Sequence, residues 1–270
     1  EAGYEADCDA VAALADSRLN NRKVPRAESP DMLSLASRLL SKPDQTVTTT
    51  IDAKLQRYAY ESLRTQLAAL ASQKANAGAV LVLNNETGEV LAYVANSGLL
   101  EDSVWVDGVQ APRQAGSTLK PFLYGLAMEK NRLTAASVID DAPINISTPL
   151  GLYVPQNYEH DFKGAVTVRT ALASSLNVPA VLTLGKVGVE PFWQLLNDVG
   201  FNLSEQPDYY GNALALGGAD ITVWQLANAY RSLANGGVWR DVSLTAKDAS
   251  ASSSPEKRIL SSQSSFIINT

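Results

Sequence analysis

A chain of 270 residues with 46% apolar composition holds enough material for one large core, or for a principal domain with an appendage. Its 22 basic and 28 acidic side chains leave a net charge of −6, which argues against a broad nucleic-acid-binding surface. The single cysteine, Cys8, excludes an internal disulfide; no apolar run reaches membrane-spanning length, and no basic stretch followed by an apolar one opens the chain.

Residues 1–44 hold short helical possibilities around Val11, Leu14 and Leu19, divided by Pro25, Pro30 and Pro43, and read as a connector or packing arm. Thr46–Ile51 favours an extended entry to the main unit. Asp52 then stands where it can cap a helix in which Leu55, Ala59, Leu63 and Leu67 recur every four residues. Ala79–Leu83 and Glu89–Val94, joined through Asn84–Gly88, predict a β-hairpin. A hairpin alone is marginal, so the apolar helix that follows Gln114 is the expected cover for one of its faces. Between them, Trp105 is expected to cover a loop and Arg113 to be solvated or ion-paired.

The stretch Gln114–Met128, QAGSTLKPFLYGLAM, brings a small-residue loop into an apolar helix. Ser117 and Lys120 are three residues apart, so at a helix start they project from nearly the same face. An amine beside a hydroxyl can take its proton when burial lowers the amine's pKa, and N–H groups at a helix start favour the anion that forms. The pattern suits serine acyl transfer but is short; Ser254–Lys257, SPEK, repeats it in a polar stretch unsuited to a pocket. Pro121 is tolerable in an opening turn, and Phe122, Leu123, Leu126 and Ala127 predict a buried stripe.

Residues 131–163 look dominated by turns that border a site. His160 is the only histidine and lacks a convincing ligand cluster, so ordinary hydrogen bonding is its expected role. Thr167–Ser174 predicts a helix leading to Ser175-Leu176-Asn177, the only SxN pattern in the chain. Leu176 can face the core while Ser175 and Asn177 approach a cavity, to relay a proton and to orient an amide, or simply to cap a helix. Phe192, Leu195, Leu196 and Val199 share a helical face closed by Gly200, with Trp193 at its edge. LALGGAD lacks the fingerprints of nucleotide loops, so Gly217 and Gly218 are expected to serve close backbone packing. Ile221–Leu233 predicts an amphipathic helix with Val223, Leu226, Ala227 and Tyr230 inward and Asn235-Gly236-Gly237 as its stop. Val238-Trp239-Arg240 suggests a strand, and Ser261–Ile268 a capped final helix.

Taken in order, TVTTTIDAKLQRYAYESL, AVLVLNNETGEVLAYV, AGSTLKPF, YVPQN, ASSLNVPA and LALGGADITVWQLANAYRSLANGG resemble the transpeptidase domain of bacterial class A penicillin-binding proteins, particularly the 1C type. The resemblance covers about residues 44–270 and divides the chain into a connector over 1–44, following a glycosyltransferase domain, and a partial transpeptidase domain over 45–270. It implies an α/β (α+β) fold like that of penicillin-binding proteins and serine β-lactamases, a mostly antiparallel sheet flanked by helices. It further implies a serine D,D-transpeptidase that cross-links peptidoglycan peptide stems through an acyl-enzyme and is acylated by β-lactams. On that comparison Ser117 is the nucleophile, with its backbone N–H in the oxyanion hole. Lys120 is the general base, Ser175 the proton relay, and Asn177 orients substrate and lysine. No metal or other cofactor is implied, and no nucleic-acid partner. The expected location is the periplasmic side of the bacterial inner membrane, with an amino-terminal glycosyltransferase domain and membrane anchor. A KTG or KSG segment is absent from the 270 residues and is expected in a carboxyl-terminal continuation. The alternatives are a non-catalytic peptidoglycan-binding or assembly module, and a serine D,D-carboxypeptidase or β-lactamase.

Overall fold

Asp52 ends an extended segment and accepts hydrogen bonds from the backbone N–H groups of Lys54 and Leu55, both at 2.9 Å. Two donors that a helix start leaves free are thereby satisfied. In the computed structural model, which describes residues 32–42, 44–96, 106–148, 151–246 and 256–270, this cap opens the second α-helix among the described residues. The readings made above for Cys8, Val11, Leu14, Leu19, Pro25, Pro30, Pro43, Trp105 and Ser254 lie outside the described residues. Helix α1 (Leu33–Leu39) and the capped helix α2 (Ala53–Ala69) precede a hairpin of β1 (Val80–Leu83) and β2 (Val90–Val94).

The hairpin carries an irregularity that decides its packing. Val82 pairs with Ala92 but Leu83 pairs with Val90, so Leu91 is an extra residue on β2. Val80, Val82, Ala92 and Val94 face Leu55, Ala59 and Leu63 of α2, while Val90 turns to the other face with Leu81 and Leu83. There it meets Leu35 of α1, Val109, Leu244 and Trp224. The helix after Gln114 lies in a separate apolar cluster, so the expectation that it covers the hairpin is corrected. The four-residue stripe of α2 supplies that cover instead.

Gln56 completes the inner edge of β2. Its amide donates to Tyr93 O at 2.9 Å and accepts from Tyr93 N at 2.6 Å, and the side chain is 1% exposed. A side chain thus serves as the missing strand partner for one residue.

Past β3 (Arg113–Gln114), a 3₁₀ turn over Gly116–Leu119 runs into α3 (Lys120–Glu129), with Pro121 in its opening turn as expected. The helix is buried on nearly every side from Lys120 to Ala127, more than the single stripe expected. It packs among α5 (Asn177–Val187), α6 (Val189–Asp198) and the Ser261-capped α9 (Ser262–Asn269), with α4 (Val168–Ala173) beside it. Residues 131–163, expected to be turns, contain β4 (Val138–Asp141), β5 (Ile146–Thr148) and β6 (Gly151–Tyr153). These strands are too short to leave a period visible in the sequence. β4 pairs antiparallel with β7 (Gly164–Thr167), and its alternation buries Ile139 and Asp141 while exposing Val138 and Asp140.

After α7 (Pro207–Tyr210) and β8 (Asp220–Ile221), α8 (Val223–Ala234) opens on a Thr222–Gln225 capping box. Its buried face is not the predicted one: Val223 and Tyr230 are 36% and 39% exposed, whereas Asn228, Ala229, Arg231, Ser232 and Leu233 are buried. Arg231 explains the rotation. Its guanidinium donates to Asn85 O at 3.0 Å, Arg240 O at 3.1 Å and Asn228 Oδ1 at 3.2 Å, clamping the hairpin turn to the chain beyond the helix. Polar groups are buried where they are hydrogen-bonded. That chain forms β9 (Val238–Trp239), paired with β10 (Lys257–Arg258). All named strands pair antiparallel with helices around them, which agrees with the expected mixed class, although the ladders are two-stranded.

Replacing Gln56 with Leu keeps the volume and leaves the Tyr93 N–H and C=O without this partner. The expected loss is about 2–6 kcal/mol, at roughly 1–3 kcal/mol for each of the two orphaned groups, read as a lower denaturant midpoint at unchanged slope. A loss within experimental error shows that the edge is satisfied by other means.

Candidate active site

The turn that carries Ser117 is pinned from outside. Gly116 N donates to Gly217 O at 3.0 Å and Ala115 N to Ala219 O at 2.9 Å, while Arg113 and Gln114 pair with Ile221 and Asp220. Gly217 has φ +74°, and a Cβ there would fall 1.9 Å from Gly116 O, so no side chain fits. The close backbone packing expected of LALGG is therefore present, and it is spent on the residue before Ser117. From the other side, Tyr230 Oη donates to Thr118 O at 2.8 Å.

Within this turn Lys120 N donates to Ser117 O, the i to i+3 bond of a 3₁₀ helix, which stacks the two side chains on one edge. They then diverge in environment: Ser117 is exposed, whereas Lys120 is 1% exposed. Burial pushes the Lys120 amine down from its ordinary 10.5 to about 8.

The SLN segment receives that amine. Helix α4 ends with Ser175 N donating to Leu172 O and Leu176 N to Ala171 O, both at 3.0 Å, and Ser175 takes a left-handed φ of +52°. Leu176 goes into the core at 6% exposure, as expected, and Asn177 begins α5. Lys120 Nζ lies 2.5 Å from Ser175 O, 3.1 Å from Ser175 Oγ and 2.7 Å from Asn177 Oδ1. All of these bonds go to SLN, so the Ser117 hydroxyl holds none of them. Ser117, Ser175 and Asn177 open on one cavity of about 460 Å³, whose rim carries Tyr158, Glu159, Asp161 and Lys163. The four residues singled out from sequence thus meet at one place, joined by hydrogen bonds through Lys120 and by a shared cavity at Ser117.

Two residues of this neighbourhood went unassigned. Asn157, from YVPQN, is 4% exposed and holds the start of α5: its Oδ1 accepts from Asn177 N at 2.8 Å. Its Nδ2 donates to both carboxylate oxygens of the fully buried Asp141 at 2.9 Å. The one sequence signal for the pair was a polar residue on the inner face of a strand only four residues long.

His160 Nδ1 lies 2.8 Å from Gln156 Oε1 in the same loop, and among the described residues no cluster of three metal-ligating acids, histidines or cysteines occurs. Arg113 is exposed, and its side chain bonds only its neighbour's carbonyl among the contacts described. Lys257, from SPEK, sits in β10 and ion-pairs with Asp198, away from the cavity.

The family description "Penicillin binding protein transpeptidase domain" matches residues 78–269, well over half of the chain, and the chain belongs to that family. Penicillin-binding protein 1F of Bacillus subtilis is 32% identical over 217 residues, which are 79% of this chain and 29% of the relative. Penicillin-binding protein 1C of Escherichia coli is 34% identical over 216 residues, 78% of this chain and 27% of the relative. The chain therefore spans less than a third of the length of these relatives. Identities to the 1F, 1C and 1A types are alike, so no single type is singled out and the chain is placed in the wider high-molecular-weight family. Among solved structures, penicillin-binding protein 1A from Haemophilus influenzae aligns at 32% identity with a TM-score of 0.57, over 63% of this chain and 25% of that one. The penicillin-binding protein PonA1 from Mycobacterium tuberculosis shares the fold, with a TM-score of 0.67 at 21% identity over 83% and 61% of the two chains.

The depressed Lys120 pKa has a stability signature. Between about 8 and 10.5 the unfolded chain holds more protons than the folded one, so stability rises with pH across that interval. Below about 8 the full cost of burying the ammonium is present. Against a Lys120→Met variant, the wild type should gain roughly 3 kcal/mol between pH 7 and pH 10.5 in denaturant unfolding. Acceptors orphaned by the substitution affect both pH values equally, so a pH-independent difference overturns the assignment.

Proposed function

We propose that this chain carries a serine D,D-transpeptidase site acting on peptidoglycan peptide stems, with Ser117 as nucleophile. The observation that carries the reading is the buried Lys120 amine, bonded to Ser175 and Asn177 beside the cavity onto which Ser117 opens. A neutral lysine amine has two N–H donors and one lone pair. Directed to Ser175 O and Asn177 Oδ1, the two donors leave the lone pair for a hydroxyl proton, from Ser117 directly or through Ser175, whose Oγ then donates. Ser117 Oγ attacks the carbonyl between two terminal D-alanines, and the tetrahedral oxyanion draws on the Ser117 backbone N–H at the opening of the 3₁₀ turn. Lys120 and Ser175 return the proton to the departing D-alanine amine. The amine of a neighbouring stem then attacks the acyl-enzyme ester, forming the cross-link and freeing Ser117. A β-lactam presents a strained amide to the same oxygen and stays attached.

The wider assignment follows the same family. Residues 1–44 are a connector after a glycosyltransferase domain, residues 45–270 part of the transpeptidase domain, and the site works on the periplasmic face of the inner membrane.

Intact-mass analysis of the complete polypeptide with benzylpenicillin should show one covalent adduct, mapped to Ser117 and lost in Ser117→Ala. Lys120→Met should slow acylation on the order of 10²–10⁴-fold, and the wild-type rate should climb with pH through about 8, as the neutral amine becomes abundant. An adduct elsewhere, or a folded complete protein that takes no adduct, rules the proposal out. A donor peptide with an amine acceptor then separates cross-linking from hydrolysis.

A further inference from the structure

We infer that Asp141 and Asn157 form a buried carboxylate–amide strut that sets the position of the SLN segment against Lys120, making both of them positioning residues for the proposed acylation. The inference rests on that reading of the site and extends it to two residues that hydrogen-bond neither Ser117 nor Lys120: Asn157, which lines the cavity, and Asp141 behind it.

The chain of contacts has a direction. Asp141 sits on the inner face of β4 at 0% exposure, and its Oδ2 also accepts from Lys163 N at 2.9 Å. A buried carboxylate is an acceptor only, so the nitrogen of Asn157 must face it. Asn157 Nδ2 also donates to Asp161 O at 2.9 Å, and Oδ1 is left to receive Asn177 N at 2.8 Å and Val178 N at 3.4 Å. A flip of this amide would set oxygen against carboxylate and N–H against N–H. Both polar side-chain atoms of Asn157 are thus committed, and the amide's orientation is dictated by Asp141.

What the strut holds is the entrance to α5. The residue before that helix, Leu176, has no side chain able to cap it, and no side-chain cap is present there. Asn157, 20 positions upstream, caps it instead. The adjacent Gln156 carbonyl accepts from Asn177 Nδ2 at 2.8 Å, which turns Asn177 Oδ1 toward Lys120. Backbone position and side-chain orientation of Asn177 are therefore both set from one short segment, and that segment is anchored to β4 through Asp141. Without it, Asn177 is free to present N–H to the lysine amine.

The arrangement predicts that the two partners can trade places. In Asn157→Asp, two carboxylates face each other across the former hydrogen bonds. In the double variant Asp141→Asn plus Asn157→Asp, the amide at 141 donates to the carboxylate at 157, which still accepts from the start of α5; only the Asp161 carbonyl loses its donor. The readout is the rate of benzylpenicillin acylation at Ser117 in the complete polypeptide, with non-covalent affinity taken from the same saturation curve. Asn157→Asp should acylate at least tenfold more slowly at unchanged affinity, or fail to fold; the double variant should fold and return to within about threefold of wild type. A double variant that does not fold, or that folds and acylates as slowly as the single one, overturns the inference, as does a single variant of wild-type rate. Wild-type protein that takes no adduct is a different failure: it removes the transpeptidase reading itself, and the strut's catalytic role with it.

Discussion

An ammonium carried into a protein interior must find acceptors there or give up its proton. Lys120 is drawn both ways: three acceptors of the SLN segment surround its nitrogen, and burial brings its pKa down to about 8. The surrounding fold is what makes this possible. Helix α3 is buried almost throughout, so a side chain at its first residue has nowhere to reach but the junction between α4 and α5. Fixing that junction fixes the amine, and in the proposed mechanism the fixed amine takes the proton of the hydroxyl beside it.

Backbone constraints do most of the fixing. On the Ser117 side, the Gly116 peptide lies so close to Gly217 that no Cβ fits on Gly217, whose carbonyl accepts a hydrogen bond from Gly116 N. On the SLN side, Ser175 adopts a positive φ, which a non-glycine residue holds only when its surroundings over-determine it. The return of Leu176 N to Ala171 O and the Asn157 cap on α5 provide that determination from the two flanks. The result presents Ser175 O and Oγ to one nitrogen, which an ordinary helical continuation would not allow. In the proposed mechanism, turns held on both sides place the two hydroxyls at the cavity before any substrate arrives.

The sequence carried the helices and the hairpin well, because those signals are local. Asp52 and the four-residue stripe of Leu55, Ala59 and Leu63 are visible within one window, as are Asn84–Gly88 and the Ser261 cap. The motif residues Ser117, Lys120, Ser175 and Asn177 were legible only in combination. Each pattern is short, and SPEK shows how readily one arises by chance; Lys257 there ends in a surface ion pair. The strut was hidden for a different reason. Its bonds span 16 and 20 residues, run through a four-residue strand, and join amino acids that composition assigns to turns. The inward face of α8 was misread on similar grounds. A period of apolar residues does not register that Arg231 and Asn228 satisfy one another and the hairpin turn.

Features that a stability criterion alone would remove are gathered in one place: a buried lysine, a buried aspartate, and a serine of positive φ. Each is tolerable because another supplies its partner. Asp141 would be costly without the Asn157 amide, Asn157 would lack a fixed orientation without Asp141, and Lys120 would lose an acceptor if Asn177 turned. A network complete in this way is either all present or sharply weakened by one change. The apolar side chains packed around α3, Phe122, Leu123, Leu184, Phe192 and Leu196 among them, supply the surplus against which the site is held. Polar precision at one junction and apolar bulk behind it are therefore two parts of one arrangement, since loosening either would let Lys120 reach water and regain its ordinary basicity.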